Sequence, residues 1–178
     1  MTTVTRGLFI GRFQPFHNGH LYAIEKILNE NDEIIIGIGS AQDSYSLKNP
    51  LTAGERIEMI RELARDIGIL DEVIIVPIPD IYENMVWPAR VIELVPRFDK
   101  VYSGNELVLM LFENFGIKTI RIKHINRYMY QGSVIRDKII KGEDWKDLVP
   151  ETVYQYLKEV KFEERIKRLV ENKSEVRR

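Results

Sequence analysis

The segment "EIIIGIGS", residues 33–40, is apolar at almost every position. A short, isoleucine-rich run of this kind is typical of a strand that is covered on both faces, as strands are in a parallel sheet. A strand with one face in water would alternate apolar and polar residues instead. This segment therefore restricts the possible folds more than any other, because it predicts a central strand with helices packed on both of its sides.

Similar short runs alternate with longer segments of helical periodicity along most of the chain. The first helix follows the opening motif and has Leu21, Ile24 and Leu28 on one face. The second begins at an N-cap, Thr52, with Glu55 at the capping-box spacing. Further strands are predicted at 7–11, 72–78, 100–104 and 118–125, and further helices at about 85–95, at 106–114 and from 132.

The alternation predicts an open, doubly wound α/β sheet of about five parallel strands. From Trp145 onwards the pattern is purely helical, which predicts a helical C-terminal cap. With 178 residues and 44% hydrophobic content, the chain is long enough for one sizeable core. We therefore expect a single domain over residues 1–178, with an α/β core at 6–144 and a helical segment at 145–178.

Composition excludes several classes of protein. The chain has 26 basic and 27 acidic side chains, so we expect no nucleic-acid partner and only local anion binding. The absence of cysteine excludes disulfides, thiolate zinc sites and cysteine nucleophiles, and it fits a reducing cytoplasm. No apolar run approaches the length of a signal sequence core or a membrane span, so we expect a cytoplasmic protein with no membrane partner.

The unusual polar stretches of the chain come directly after predicted strands. "GRFQPFHNGH" (11–20) follows the first strand, "GSAQ" (39–42) the second and "SGN" (103–105) the fourth. The carboxyl ends of the strands form the ligand-binding edge of such sheets, so these stretches should converge there. The opening motif allows three kinds of site, namely a metal centre, a catalytic base or a phosphate cradle.

The opening motif favours phosphate over metal. A metal centre would use His17 and His20, but it needs three or four ligands and the remaining histidine is His124. A phosphate cradle uses more of the motif, because His20 falls in the first turn of a helix, where N–H groups and the dipole favour an anion. Arg12 adds a permanent charge. In a purely structural interpretation, Phe13, Pro15 and Phe16 pack the loop and the histidines are polar surface groups.

Five segments together resemble one family. "GRFQPFHNGHL", with its H-x-G-H core, and "YQGSVIR" resemble the nucleotidylyltransferase superfamily. With "IIIGIGSAQ", "NPLTAGER" and "VYSGN", the chain resembles the archaeal type of nicotinamide-nucleotide adenylyltransferase over about residues 6–150. The resemblance implies a Rossmann-like fold and an enzyme that joins ATP and nicotinamide mononucleotide (NMN) into NAD and pyrophosphate. It also implies Mg²⁺ bound with ATP, direct in-line attack without a covalent intermediate, and a homo-oligomer such as a hexamer.

The resemblance also implies a role for particular residues. The implied catalytic residues are His17, His20 and Arg136. The implied ATP site consists of Arg12, Phe13, His17, His20, Lys48, Ser103, Asn105, Ser133 and Arg136. The implied NMN site consists of Ser40, Asn84, Trp87 and Arg127. Two positions depart from the family pattern, since Gln131 stands in place of a serine and Lys48 in place of an arginine.

Two other functions stay open on the sequence. A related nucleotidylyltransferase would act on phosphopantetheine, a flavin mononucleotide or a polyol phosphate, and Asn84 and Trp87 are the residues that would discriminate. A non-catalytic regulatory module would keep the fold without turnover, but phosphate-binding residues on both sides of the α-phosphorus argue against it. In purely structural roles, Trp87 would be a core residue and Arg136 a solvated helix charge.

Overall fold

A computed structural model describes residues 3–123 and 128–175 of the chain. Its strands are β1 (Arg6–Gly11), β2 (Glu33–Ile38), β3 (Val73–Pro77), β4 (Lys100–Ser103) and β5 (Thr119–Arg121). They form one parallel sheet in the order β3-β2-β1-β4-β5. The direction of winding reverses between β1 and β4, as in other doubly wound sheets. The predicted fold class is confirmed.

A helix lies between each successive pair of strands, and three more follow β5. The helices are α1 (Asn18–Leu28), α2 (Ala53–Asp66), α3 (Trp87–Leu94), α4 (Glu106–Glu113), α5 (Gly132–Lys141), α6 (Glu151–Glu159) and α7 (Phe162–Glu175). Short 3-10 turns occur at Leu70–Glu72 and Lys146–Leu148. Across the described ranges, none of the helices has the length and apolar character that a bilayer span requires.

The strand that was predicted to be covered on both faces is β2. Ile34, Ile35, Ile36 and Ile38 are all completely buried. Successive side chains of a strand point to opposite faces, so the run feeds two cores. Ile34, Ile36 and Ile38 pack in the core under α1, α2 and the C-terminal helices, whereas Ile35 packs in the core under α3 and α4.

The first two helices begin close to where the sequence places them. The N-cap of α2 is confirmed, since the N–H of Glu55 donates to the Thr52 hydroxyl (3.1 Å) and the N–H of Thr52 donates to the Glu55 carboxylate (2.8 Å). The predicted apolar face of α1 packs against the core. Ile24 is buried, but Leu21 and Leu28 are only half-buried, because the contact of α1 with the sheet is centred between them.

Two predicted strands end earlier than their sequence patterns indicate. β2 stops at Ile38 because Ser40, with φ of 48°, lies in the left-handed region and not in extended conformation. β5 covers Thr119–Arg121 within the described residues, and the end of the predicted segment, 124–125, lies outside them. Both chain segments leave the sheet early and turn into the binding edge.

The predicted helical cap is formed by α6 and α7. α6 packs against α2, and α7 packs against α5 and α6. Arg165 of α7 donates to both carboxylate oxygens of Glu55, at 2.6 and 2.7 Å, and to the main-chain oxygen of Pro50 at 3.1 Å. The Tyr156 hydroxyl of α6 donates to the Glu58 carboxylate at 2.9 Å. The cap is therefore tied to the first turns of α2.

Candidate active site

A cavity of about 820 Å³ lies at the carboxyl ends of β1, β2 and β4. This is the edge where the winding of the sheet reverses and where ligands bind in such folds. Its walls include Arg12 and Phe13 after β1, Ser40 after β2, and Ser103 and Asn105 after β4. The predicted convergence of these three loops is confirmed, and the first turns of α1 and α5 complete the cavity.

The loop after β1 is held in place by its aromatic side chains. Phe13 and Phe16 are buried, and their rings are stacked with centroids 5.9 Å apart. The ring of His20 lies 4.6 Å from Phe13 and 5.2 Å from Phe16, measured between centroids. The packing interpretation is therefore confirmed for these phenylalanines, although Phe13 also lines the cavity. Their packing fixes the plane of the His20 ring.

His17 and His20 lie at the start of α1, His17 as the N-cap and His20 in the first turn. The main-chain N–H of His17 donates to Nδ1 of His20 at 3.1 Å. Because Nδ1 accepts this bond, the neutral ring carries its proton on Nε2. The two rings are stacked with centroids 3.6 Å apart, and both residues line the cavity. Nε2 of His20 is thus a hydrogen-bond donor suited to an anion at a helix N-terminus.

Arg136 of α5 lines the same cavity, although it lies more than 100 residues after the β1 loop in the sequence. Its guanidinium donates to the main-chain oxygen of Gln14. Burial lowers the pKa of Arg136 and the charge of Arg12 lowers it further, against the opposing charge of Asp137. Two guanidinium groups therefore share one cavity, and an anionic ligand would relieve their repulsion. The interpretation of Arg136 as a solvated helix charge is wrong, because the residue is half-buried and bound to the β1 loop.

Gly132 begins α5 because a side chain would not fit there. A Cβ at this position would lie 2.6 Å from the main-chain oxygen of Gln14 and 3.0 Å from the guanidinium of Arg136. Ser133 follows in the first turn, and its hydroxyl donates to the side-chain oxygen of Gln131 at 3.4 Å. A second helix N-terminus therefore lines the cavity, with a hydroxyl and a guanidinium close to it.

Arg56 holds the loops after β1 and β2 together, and the sequence analysis missed it. It is completely buried. It donates to the main-chain oxygens of Arg12 (3.0 Å), Gly39 (2.8 Å) and Ser40 (3.1 Å). Burial lowers the pKa of Arg56 to about 10, against the opposing charges of two aspartates. The signal that could have found it is an arginine on the apolar face of α2, four residues before Ile60.

Asp80, which follows β3, was also missed. Its carboxylate accepts hydrogen bonds from the hydroxyl of Ser40 at 2.6 Å and from the main-chain N–H of Ser40 at 3.3 Å. The main-chain N–H of Asp80 donates to the side-chain oxygen of Gln42 at 2.9 Å. Ser40 and Asp80 together line the cavity on the side of β2 and β3. The sequence signal was an acidic residue just beyond an apolar strand.

The other side of the cavity follows β4. Ser103 is buried, and its hydroxyl oxygen accepts the N–H of Asn105 at 3.0 Å. The side-chain oxygen of Asn105 accepts the N–H of Leu107 at 3.0 Å and so caps α4. Glu106 and Arg121 form an ion pair at the rim. Ser103 and Asn105, which the resemblance implies for the ATP site, therefore line the cavity and are held by these hydrogen bonds.

The structure does not bring all predicted residues together. Trp87 lines the cavity at the start of α3 and also packs edge-on against Phe112, with centroids 5.7 Å apart, so it belongs to both the core and the site. Asn84 and Lys48 are exposed and are not among the residues that line the cavity. Arg127 lies outside the described residues.

The metal alternative finds no support in the geometry. In residues 3–123 and 128–175, no group of three or more His, Cys, Asp or Glu side chains is placed to hold an ion. His17 and His20 stack on each other, and Nδ1 of His20 accepts a main-chain N–H. The third histidine, His124, lies outside the described residues.

A doubly wound sheet with two helix N-termini and two arginines at its switch point is typical of a protein that handles nucleotide phosphates. Comparison with known families agrees with this class. Residues 8–173 match the cytidylyltransferase-like family, which is most of the chain. The protein belongs to the cytidylyltransferase-like family.

Curated relatives carry a more specific name. The nicotinamide-nucleotide adenylyltransferase of Methanococcus aeolicus is 53% identical over 164 residues, 92% of this chain and 94% of the relative. The protein of the same name from Archaeoglobus fulgidus is 49% identical over 159 residues, 87% of this chain and 91% of the relative. At this identity and coverage, the resemblance inferred from the five sequence segments is confirmed.

A solved structure shows the same architecture. It is a bifunctional NMN adenylyltransferase/ADP ribose pyrophosphatase from Francisella tularensis, complexed with AMP and a manganese ion. The two structures match with a TM-score of 0.79 at 25% identity, over 98% of this chain and 54% of that one. The present chain therefore spans about half the length of that bifunctional protein.

Proposed function

We propose that this protein transfers the AMP group of ATP to NMN, which gives NAD and pyrophosphate. The observation that carries the proposal is the cavity in which the N-terminal turns of α1 and α5 meet with Arg12, His20 and Arg136. Binding a nucleotide needs one cluster of phosphate-binding groups, whereas transfer of a nucleotidyl group needs groups on both sides of the α-phosphorus. The names of the curated relatives support the same reaction.

In the proposed reaction, an oxygen of the NMN 5′-phosphate attacks the α-phosphorus of ATP in line. A new P–O bond forms while the bond from the α-phosphorus to its leaving bridging oxygen breaks, and pyrophosphate departs with the electron pair. Nε2 of His20 donates to a non-bridging oxygen of the α-phosphoryl group as charge builds on it. Arg136 and Ser133 hold the departing pyrophosphate. The protein supplies position and charge, so no enzyme nucleophile takes part.

We propose that magnesium enters the site with ATP. The residues present do not form an ion site of their own, since the acidic residues in the cavity lining are Asp80 and Glu106, and Glu106 is paired with Arg121. Within the described residues, no cluster of three candidate ligands exists. Magnesium bound to ATP would neutralise phosphate charge, and the chain would grip the complex through its phosphate oxygens.

The rest of the substrate map is proposed from the same cavity. Ser103 and Asn105 would contact the adenosine part of ATP on the β4 side, with Arg12 and Phe13 next to the triphosphate. Trp87 would stack on the pyridine ring of NMN, with Ser40 nearby. The roles of Asn84, Lys48 and Arg127 stay predictions.

We also propose that the protein works in the cytoplasm and as a homo-oligomer. Several large apolar side chains before α3, on α4 and just after α4 support self-association because they are exposed, namely Tyr82, Met85, Leu107, Met110 and Phe115. Light scattering during size-exclusion chromatography measures the oligomeric state, and a monomer at micromolar concentration would refute the oligomer. Cell fractionation tests the compartment.

The reaction is tested with purified protein, ATP and MgCl₂, and with NMN, nicotinic acid mononucleotide and phosphopantetheine as parallel acceptors. We expect NAD and an equal amount of pyrophosphate, both measured by chromatography. We expect Arg136→Gln to be inactive and its matched control, Arg61→Gln, to keep full activity. Arg61 is exposed on α2 and lies outside the cavity lining. If ATP binds but no acceptor gives product, the regulatory module is the better interpretation.

A further inference from the structure

The cavity has to receive two phosphate-bearing substrates, yet carboxylates stand in its wall. They are Asp80 and Glu106. Glu106 forms an ion pair with Arg121 at the rim, whereas the hydrogen bonds that Asp80 accepts come from the uncharged hydroxyl and N–H of Ser40. A carboxylate here works against phosphate binding unless it serves another part of a substrate.

The surroundings leave the negative charge of Asp80 facing the cavity. The nearest buried cation is Arg56, whose charge interacts favourably with that of Asp80. The guanidinium of Arg56, however, donates to the main-chain oxygens of Arg12, Gly39 and Ser40. Arg56 is completely buried behind the loop, whereas Asp80 is exposed on the cavity side.

Asp80 and Trp87 both line the cavity. Asp80 lies in the connection between β3, an edge strand, and α3, and Trp87 is the first residue of α3, so the two come from neighbouring parts of the chain. The phosphate-binding groups come instead from the β1 loop and the first turns of α1 and α5. A carboxylate and an indole face together suit a flat organic cation, because each attracts positive charge.

NMN carries such a cation. Its pyridine ring is a pyridinium with one positive charge, and its carboxamide is neutral. Nicotinic acid mononucleotide has the same cationic ring but adds a carboxylate to it, so the base is neutral overall. Reduced NMN has a dihydropyridine ring without the positive charge. These three acceptors share the ribose and the phosphate, so they differ only in the group that would meet Asp80.

We propose that Asp80 determines acceptor specificity by favouring a mononucleotide whose base carries a net positive charge. This inference rests on the proposed function and concerns the acceptor half of the site. Asp80 attracts the pyridinium of NMN, repels the carboxylate of nicotinic acid mononucleotide and gains nothing from the neutral ring of reduced NMN. Because Asp80 is partly solvated, we expect a preference for NMN of about tenfold to a hundredfold in kcat/KM.

The test compares kcat/KM for the three acceptors in the wild-type protein and in Asp80→Asn. This substitution removes the charge but preserves the contacts, because the Ser40 hydroxyl can accept from an amide as well as donate to a carboxylate. The matched control is Glu83→Gln, which removes a charge from the same connection at an exposed position outside the cavity lining. We expect Asp80→Asn to reduce both preferences by about tenfold and Glu83→Gln to leave them unchanged.

Three results would overturn the inference. The wild-type protein could use the three acceptors equally, or Asp80→Asn could lower all three kcat/KM values by the same factor, which would mean that Asp80 only positions Ser40. Absence of product with every acceptor would overturn the proposed function as well. If thermal unfolding shows that Asp80→Asn does not fold, the wild-type comparison of NMN with reduced NMN can still refute the inference. The two acceptors differ in ring charge, so equal kcat/KM values would mean that this charge has no effect.

Discussion

Replacing Arg56 by methionine gives the sharpest test of how the loops after β1 and β2 are held. These two loops are called the substrate loops below. The variant fills a similar volume but removes the charged donor from three main-chain oxygens, those of Arg12, Gly39 and Ser40, of which the Ser40 oxygen also accepts the N–H of Asp43. Each such loss costs about 2 kcal/mol, or about 6 kcal/mol in total. The fourth acceptor, the main-chain oxygen of Thr52, keeps the helical hydrogen bond from the N–H of residue 56.

Part of this cost is returned, because the variant no longer buries a charge. The pKa of Arg56, about 10 against an ordinary 12.5, corresponds to about 3 kcal/mol for holding the charged form in the interior. The net loss expected for Arg56→Met is therefore about 3 kcal/mol of unfolding free energy. We also expect a higher KM for NMN, since the Ser40 loop is no longer fixed relative to the β1 loop.

Urea unfolding followed by circular dichroism measures the loss, and initial rates give the KM. Arg61→Met is the matched control, because Arg61 lies on the same helix but is exposed, and its effect should stay within about 0.5 kcal/mol. A loss below about 1 kcal/mol in Arg56→Met would refute the reasoning, since it would mean that the hydrogen bonds only offset the desolvation of the charge.

Three further predictions follow from the site and the cap. His20→Ala should lower kcat by about 10² to 10³ with a smaller effect on ATP affinity, because in the proposed reaction it removes a donor to the reacting phosphoryl group; unchanged turnover would remove His20 from the mechanism. Trp87→Ala should mainly raise the KM for NMN, and an unchanged KM would leave the indole a packing role only. Burial raises the pKa of Glu55, but hydrogen bonds from Arg165 and Thr52 and the charge of Arg165 outweigh it, so the net pKa is lowered. The ion pair therefore stabilises the fold fully above the unfolded pKa of 4.5 and is lost as the pH falls below it. Unfolding in urea between pH 7 and pH 3 should show a shallower decline in Glu55→Gln than in the wild type, and equal slopes would contradict this.

The sequence predicts what depends on local chemistry. The isoleucine run of β2 indicates a strand covered on both faces, because a strand whose side chains are all buried is apolar at almost every position. The capping box at Thr52 is confirmed because both of its hydrogen bonds form within one turn of helix. His20 was predicted for a similar reason, since it lies in the first turn of a helix that follows a strand, whereas Arg136 was predicted through the family resemblance; both residues line the cavity.

What the sequence does not reveal depends on contacts between distant segments. Arg56 matters because its guanidinium donates to main-chain oxygens of residues that lie 16 and 44 positions earlier in the sequence. Asp80 matters because the order of the strands brings it against Ser40, 40 residues away. Periodicity carries no information about such pairs. Nor does it give the path of a loop, which is why Lys48 and Asn84 were expected at the cavity but lie outside its lining.

The start of α2 connects the helical cap to the substrate loops through two neighbouring residues. Glu55 is bound by Arg165 of α7 and belongs to the capping box of α2, while Arg56, the next residue, holds the loops after β1 and β2. Since both side chains leave the same helical turn, a shift of that turn would move the cap contact and the three loop contacts together. The cap contact and the loop contacts therefore depend on the same helical turn, although none of the described residues of α6 and α7 is among those that line the cavity.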